Sequence, residues 1–330
     1  MKKIVLLFVG LLFVASYFAQ MNGLSGENFD QIKELKSSKL YVYIARLKNE
    51  GSCISLDKNV KEDRINTPKY YEEVLKNEWN YCDYEFIDKE KYAALKKNDN
   101  LFFLTNTVKD SKSNGGGQPG STMGKAGGAI SVTRYLMLSK GNPSAKKFRK
   151  REHIFMIQFS SVHTKSMSMA GQYSQVVISD KEGGLEAPSK GKINIEIKLI
   201  NTYLNDCITY NTPEIRLIAK ENAKNLKGKT LGFSNFLVKF KEEDIEGITS
   251  FNSVFQKTLG IGALVRKDGL KKVVDKYKGR EIYWLTPMMS PMAIILDEES
   301  RICFYHNPKK AMRYKIRLEE IQQLATDVEE

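Results

Sequence analysis

The chain has 330 residues and a formal net charge of +13, from 52 Lys and Arg against 39 Asp and Glu. Its 42% hydrophobic and 28% charged residues are a globular composition, which excludes disorder throughout and allows one large core or two ordinary ones. Beyond the N-terminus no apolar run reaches the roughly 20 residues that a membrane span needs.

Residues 1–20 have the layout of a secretory signal peptide. Lys2 and Lys3 form a positive start, Ile4 to Phe18 run without a charge, and small or polar residues follow around Ala15-Ser16 and Ala19-Gln20. The expectation is export to the periplasm, the cell surface or the medium, with cleavage between Tyr17 and Met21. A buried N-terminal helix or an uncleaved anchor is the alternative. The first cysteine is Cys53, so no lipid-bearing Cys follows the signal.

An exported basic protein meets lipid head groups, lipopolysaccharide and acidic glycans before it meets nucleic acid. The partners expected are therefore anionic envelope components or another envelope protein, and no nucleic acid. The charge is spread along the chain except for one dense run, Lys146, Lys147, Arg149, Lys150 and Arg151, which is the candidate anion-binding site. A solvated lysine surface without a dedicated site explains the same composition.

Leu40 to Leu47 reads as a buried strand. Thr67-Pro68 reads as the opening of a helix, with Tyr70, Tyr71, Val74, Leu75 and Trp79 on one face. Cys82, Tyr84 and Phe86 alternate as on a strand, a short helix surrounds Tyr92 to Leu95, and Leu101 to Thr105 is a strand. Residues 106–129 are Gly-rich and read as a long loop. Strands are expected at Ile130–Leu138, His153–Phe159, Val176–Asp180 and Ile193–Ile200, with a loop over Ser160–Gly171 and the basic insert at 140–151.

A second α/β stretch opens at Thr212-Pro213, with Ile215, Ile218, Ala219, Ala223 and Leu226 as the helix stripe and Gly228 as its cap. Thr230–Val238 is a strand, and Asp268 caps a helix carrying Leu270, Val273, Val274 and Tyr277. Ile282–Leu285, Met292–Asp297 and Arg301–His306 are strands, the last two a hairpin across Glu298-Glu299-Ser300. A final helix carries Leu318, Ile321 and Leu324.

The expected fold is therefore α/β, or mixed α+β, with mixed sheets in two similar lobes, 21–210 and 211–330. Leu101–Thr105 and Ile282–Thr286 hold like places in the two stretches. That likeness reads as a degenerate internal duplication, or as two α/β units sharing local grammar.

Most catalytic motifs fail on their own spacing. Around Gly124-Lys125 a phosphate loop would need glycine where Pro119 stands, and Ser or Thr where Ala126 stands. Gly260-Ile261-Gly262 has Val265 in place of the third glycine of a dinucleotide site. Ser144-x-x-Lys147 and Ser189-x-x-Lys192 lack the companion Lys-Thr-Gly, and no serine-nucleophile elbow is present. His163, Met167 and Met169, with His153 and Met156 upstream, offer the imidazole and thioether donors that soft Cu(I) selects, or core packing around a Met-rich loop. Cys53, Cys82, Cys207 and Cys303 allow three two-bridge pairings, or buried free thiols. No cofactor is expected. The reading is an exported envelope protein with a non-catalytic binding, scaffolding or interaction role; the alternative is a carboxylate-based hydrolase of an envelope polymer, for which 39 acidic residues nominate no pair.

Overall fold

The computed structural model describes residues 29–45, 58–113, 129–141, 153–163, 190–234, 238–256, 273–274, 281–284, 286–289, 292–306 and 315–330. The expected α/β class is what forms: helices packed on mixed sheets. The expected signal segment, the Val176–Asp180 strand and the basic run at 146–151 lie outside the described residues.

The first half builds helix α1 (Phe29–Lys36), strand β1 (Leu40–Tyr43), α2 (Lys58–Glu78), β2 (Tyr84–Phe86), α3 (Lys89–Leu95), β3 (Phe102–Ser113), β4 (Ala129–Lys140), β5 (Phe155–His163) and α4 (Lys190–Thr209). Its sheet has the order β2-β1-β3-β4-β5. β1 is parallel to both β2 and β3, whereas β3, β4 and β5 form an antiparallel ribbon. Along each strand alternate residues face opposite sides. Leu40, Val42, Phe102, Leu104, Leu136, Leu138, Phe155 and Ile157 thereby meet Ile32 and Leu35 of α1, Val74 and Leu75 of α2, and the apolar side of α4 in one core. Full burial of a residue such as Leu75 stabilises by about 1.5–3 kcal/mol. Phe155 lies 5.0 Å from Tyr203, ring centre to ring centre, which fixes α4 on this side of the sheet.

Four sequence expectations, one of them covering two loops, are corrected here. Pro68 does not open its helix: it lies inside α2, which begins at Lys58. A proline there forfeits an intrahelical hydrogen bond, and the packing of Tyr71, Val74 and Leu75 in the core outweighs that loss. The Gly-rich segment is shorter than 106–129, because β3 continues to Ser113 and pairs residue by residue with β4, from Phe102 opposite Lys140 to Ser113 opposite Ala129. The ladder gives these polar residues what a loop does not, a partner for every second backbone group; residues 114–128 lie outside the described residues. The loop expected from Ser160 likewise starts later, since β5 runs through His163.

The third correction is the largest. Ile193–Ile200 is not a strand but part of α4. Ile193, Ile197, Ile200, Leu204 and Cys207 recur at helical spacing, while Ile195, Leu199 and Tyr203 fill the adjoining stripe. A helix buried on most of its circumference has no continuous polar face, so its periodicity is masked. Even Glu196 is fully buried, taking a hydrogen bond from the Tyr71 hydroxyl at 3.0 Å.

The second half contains α5 (Ile215–Ala223), a 3₁₀ turn (Lys224–Leu226), β6 (Thr230–Ser234), a second 3₁₀ turn (Glu242–Ile245), β7 (Asn252–Gln256), β8 (Val273–Val274), β9 (Glu281–Trp284), β10 (Thr286–Met289), β11 (Met292–Leu296), β12 (Ile302–His306) and α6 (Leu318–Glu329). Gly228 takes φ +68 just after the 3₁₀ turn, the left-handed conformation that made glycine the expected terminator. One sheet has the order β7-β6-β9-β8, the other β10-β11-β12, and β10 packs alongside β5. The helix expected after Asp268 is the fourth correction: Val273–Val274 pair antiparallel with β9 as a strand. An apolar Val-Val step serves either state, and the cross-strand ladder decides.

In both larger sheets the first strand lies between its parallel successors: β1 between β2 and β3, β6 between β7 and β9. The β11–β12 hairpin faces two ways. Leu296 and Ile302 join the first core together with Ile215 and Ile218. Ile295 and Phe304 join a second core with Phe233, Phe240, Phe251, Ile321 and Leu324.

Candidate functional site

Of the candidate site residues read from sequence, His153, Met156 and His163 are among the described residues, whereas Lys146, Lys147, Arg149, Lys150, Arg151, Met167 and Met169 are not. His153 and Met156 are buried, and Met156 stands opposite Met137 in the β4–β5 ladder. His163 is seven residues beyond Met156 along β5, roughly 23 Å at about 3.3 Å per residue. That separation along the strand keeps Met156 from sharing an ion with His163. Among the described residues no three His, Cys, Asp or Glu side chains converge as a metal site. Cys82, Cys207 and Cys303 are free thiols, so the two-bridge arrangement does not form. Burial pushes Cys82 up to about 11, Cys207 up to about 12 and Cys303 well above its ordinary value, which keeps all three protonated at neutral pH.

The richest polar constellation lies where α4, α5 and the β11–β12 hairpin meet, and no motif announced it. It begins with the turn Asp297–Ser300. Ser300 adopts φ 64, and its amide donates to the Asp297 carbonyl at 3.0 Å. Asp297 Oδ1 accepts from the Glu299 and Arg301 amides, both at 2.9 Å. Its Oδ2 accepts from Arg301 Nε at 2.7 Å and Asn225 Nδ2 at 3.2 Å. Four donors thus surround one carboxylate, and the hairpin turn is built around it.

The hairpin is tied to both helices. Thr202 of α4 donates to the Ser300 carbonyl at 2.9 Å. Asn222 of α5 donates to Asp206 Oδ2 at 2.9 Å and to the Ile302 carbonyl at 3.3 Å, and its own carbonyl accepts the Tyr210 hydroxyl at 2.9 Å. Asp206 is 9% exposed and Asp297 6%. Burial is the main influence on Asp206 and raises its pKa; the Asn222 bond and the Arg301 charge pull it down, and the Asp297 charge pushes it up again. Two buried carboxylates are thus set against one guanidinium. Chemically this is a joint: the Asp297 oxygens are filled by structural donors.

Two smaller groupings flank it. His306, at the end of β12, lies 2.7 Å from Glu320 of α6 through Nδ1. Burial lowers the His306 pKa; Glu320 opposes this, and Arg216 and Arg317 add to it. Just beyond the carboxyl end of β1, Asn106 of β3 clasps Ala45: the Ala45 amide donates to Oδ1 at 2.7 Å and Nδ2 donates to the Ala45 carbonyl at 3.2 Å. In open parallel sheets this boundary, where successive strands go to opposite sides, is the usual ligand crevice. Here an amide side chain continues the strand pairing across it. Beside it, on the face away from the main core, Tyr43 stacks on Tyr92 at 4.3 Å, with Phe103 edge-on to Tyr92.

Among the described residues no helix is long and apolar enough to cross a membrane. No family model matches the chain, and no curated protein is similar to it.

Proposed function

We propose that the chain is an exported protein of the bacterial envelope that binds or scaffolds there without catalysing a reaction, with anionic envelope components as its ligands. The leader-like residues 1–20 and the charge of +13 support the compartment and the ligand class. One observation carries the binding role. β1 supports β3 only from Phe102 to Thr105, while β3 and β4 pair over all twelve residues of each. The ribbon from Asn106 to Ser113 thus outruns β1 by eight residues, roughly 26 Å at about 3.3 Å per residue. A ribbon of this length suits recognition of an extended or polymeric partner.

The test is sedimentation of the mature chain with phosphatidylglycerol vesicles and with lipopolysaccharide across a salt series. Binding should weaken steeply with salt, because exposed charges are screened over about 10 Å at 0.1 M. Reversing Lys146, Lys147, Arg149, Lys150 and Arg151 should abolish it, and replacing 108–134 by a tight turn should weaken it while the thermal transition persists. Absence of binding, or binding indifferent to both changes, overturns this function.

A further inference from the structure

We propose that the joint formed by Asp206, Asn222, Asp297 and Arg301 is an acid-responsive latch, which holds the β11–β12 hairpin on α4 and α5 more firmly in acid than at neutral pH. Arg301 is committed to Asp297 at 2.7 Å, and Asp297 has two backbone amides and Asn225 besides. Among the described residues the side-chain donor to Asp206 is Asn222 Nδ2, at 2.9 Å. When both carboxylates are ionised the joint encloses one more negative charge than positive, in surroundings only 6–9% exposed at the two acids. A buried surplus charge is costly, and a single proton on Asp206 removes it.

The groups facing Asp206 act in both directions. From α5 it meets Asn222; from the hairpin, the positive Arg301 and the negative Asp297; Cys207 and Tyr210, beside it in sequence, and Cys303 of β12 are neutral near pH 7, each with its pKa raised first by burial. The sign follows from the raised pKa of Asp206. Its contribution to stability is fully present below the pKa of the unfolded chain and is lost as pH rises through the folded value. Asn222 bonds at once to Asp206 and to the Ile302 carbonyl, so a change of charge at Asp206 acts directly on the tie between helix and hairpin.

The experiment compares the full chain with its Asp206→Asn variant by urea unfolding from pH 4 to pH 8. The amide oxygen still accepts from Asn222, and the charge is gone at every pH. The two proteins should converge toward pH 4, and the variant should become the more stable as pH rises, by about tenfold in the folding equilibrium for each unit by which Asp206 is displaced. A difference that does not change with pH, or a wild type more stable at pH 7, overturns the latch. If the variant does not fold, hydrogen exchange of the wild type decides. After correction for intrinsic rates, the hairpin amides of Glu299 and Arg301 should open several-fold more at pH 7 than at pH 5, while those of α1 should not follow. Parallel behaviour of hairpin and α1 likewise overturns it.

Discussion

Tyr71 donates its hydroxyl to Glu196 at 3.0 Å, joining two helices through side chains 125 residues apart, with Glu196 fully buried. The bond lies in the core layer that the sequence pattern obscured, which makes it a direct probe of the α2–α4 packing.

Replacing Tyr71 by Phe keeps the ring and removes this donor. Removing one partner of a buried hydrogen bond costs about 1–3 kcal/mol, so Tyr71→Phe should lower stability by that amount, seen as a lower urea midpoint with an unchanged slope. A variant with unchanged stability would show that Glu196 does not depend on Tyr71.

Removing the clasp at the β1–β3 boundary should also cost stability. Asn106→Ala breaks both bonds to Ala45 and leaves that backbone amide and carbonyl without the side chain that paired them. The expected loss is about 1–3 kcal/mol. Asn106→Asp should do no better, because a carboxylate can accept from the Ala45 amide but sets an acceptor against its carbonyl. Thermal unfolding of both variants checks this, and an Asp variant as stable as wild type would mean the carbonyl contact contributes little.

What the sequence made legible was governed by burial on one side. The stripe Tyr71, Val74, Leu75 and the cap at Gly228 were readable because each depends on near neighbours and one polar face. The hairpin across Glu298-Glu299-Ser300 was readable because two apolar runs flank a polar turn. Ile193–Ile200 was not, because a helix enclosed by α1, α2 and the sheet presents apolar residues all round, and a chance alternation of eight residues imitates a strand. The Asp206–Asn222–Asp297–Arg301 joint was invisible for another reason. Its members are common residues at no fixed spacing, brought together only when α5 packs against β12.

The thiols give a chemical check on that packing. Cys207 and Cys303 are buried, and burial pushes the Cys207 thiol up to about 12 and the Cys303 thiol well above its ordinary value. Native protein treated with iodoacetamide at pH 8.5 should remain unmodified at both positions by peptide mass spectrometry, and react fully once unfolded in urea. Cys82, at about 11 and less enclosed, should react more slowly than a free thiol but before the other two. Rapid labelling of Cys303 in the native protein would place the hairpin away from α5.

His306 offers the last test, and its sign is opposite to that of Asp206. Burial disfavours the imidazolium, so the folded pKa lies below the ordinary value of 6.5 even though Glu320 stands 2.7 Å away. A base with a depressed folded pKa stabilises the fold while it stays neutral, and that contribution is lost as pH falls from the unfolded value toward the folded one. The chain has only three histidines, so their ring protons can be followed separately by NMR. The His306 midpoint should lie below 6.5, and Glu320→Gln should move it lower still, because the carboxylate is what favours the charged form. Replacing Arg216 by Gln should move it upward, since that guanidinium opposes the proton. A His306 midpoint above 6.5 in the wild type would show that the Glu320 pairing outweighs burial, and would reverse the direction in which acid acts on the β12–α6 contact.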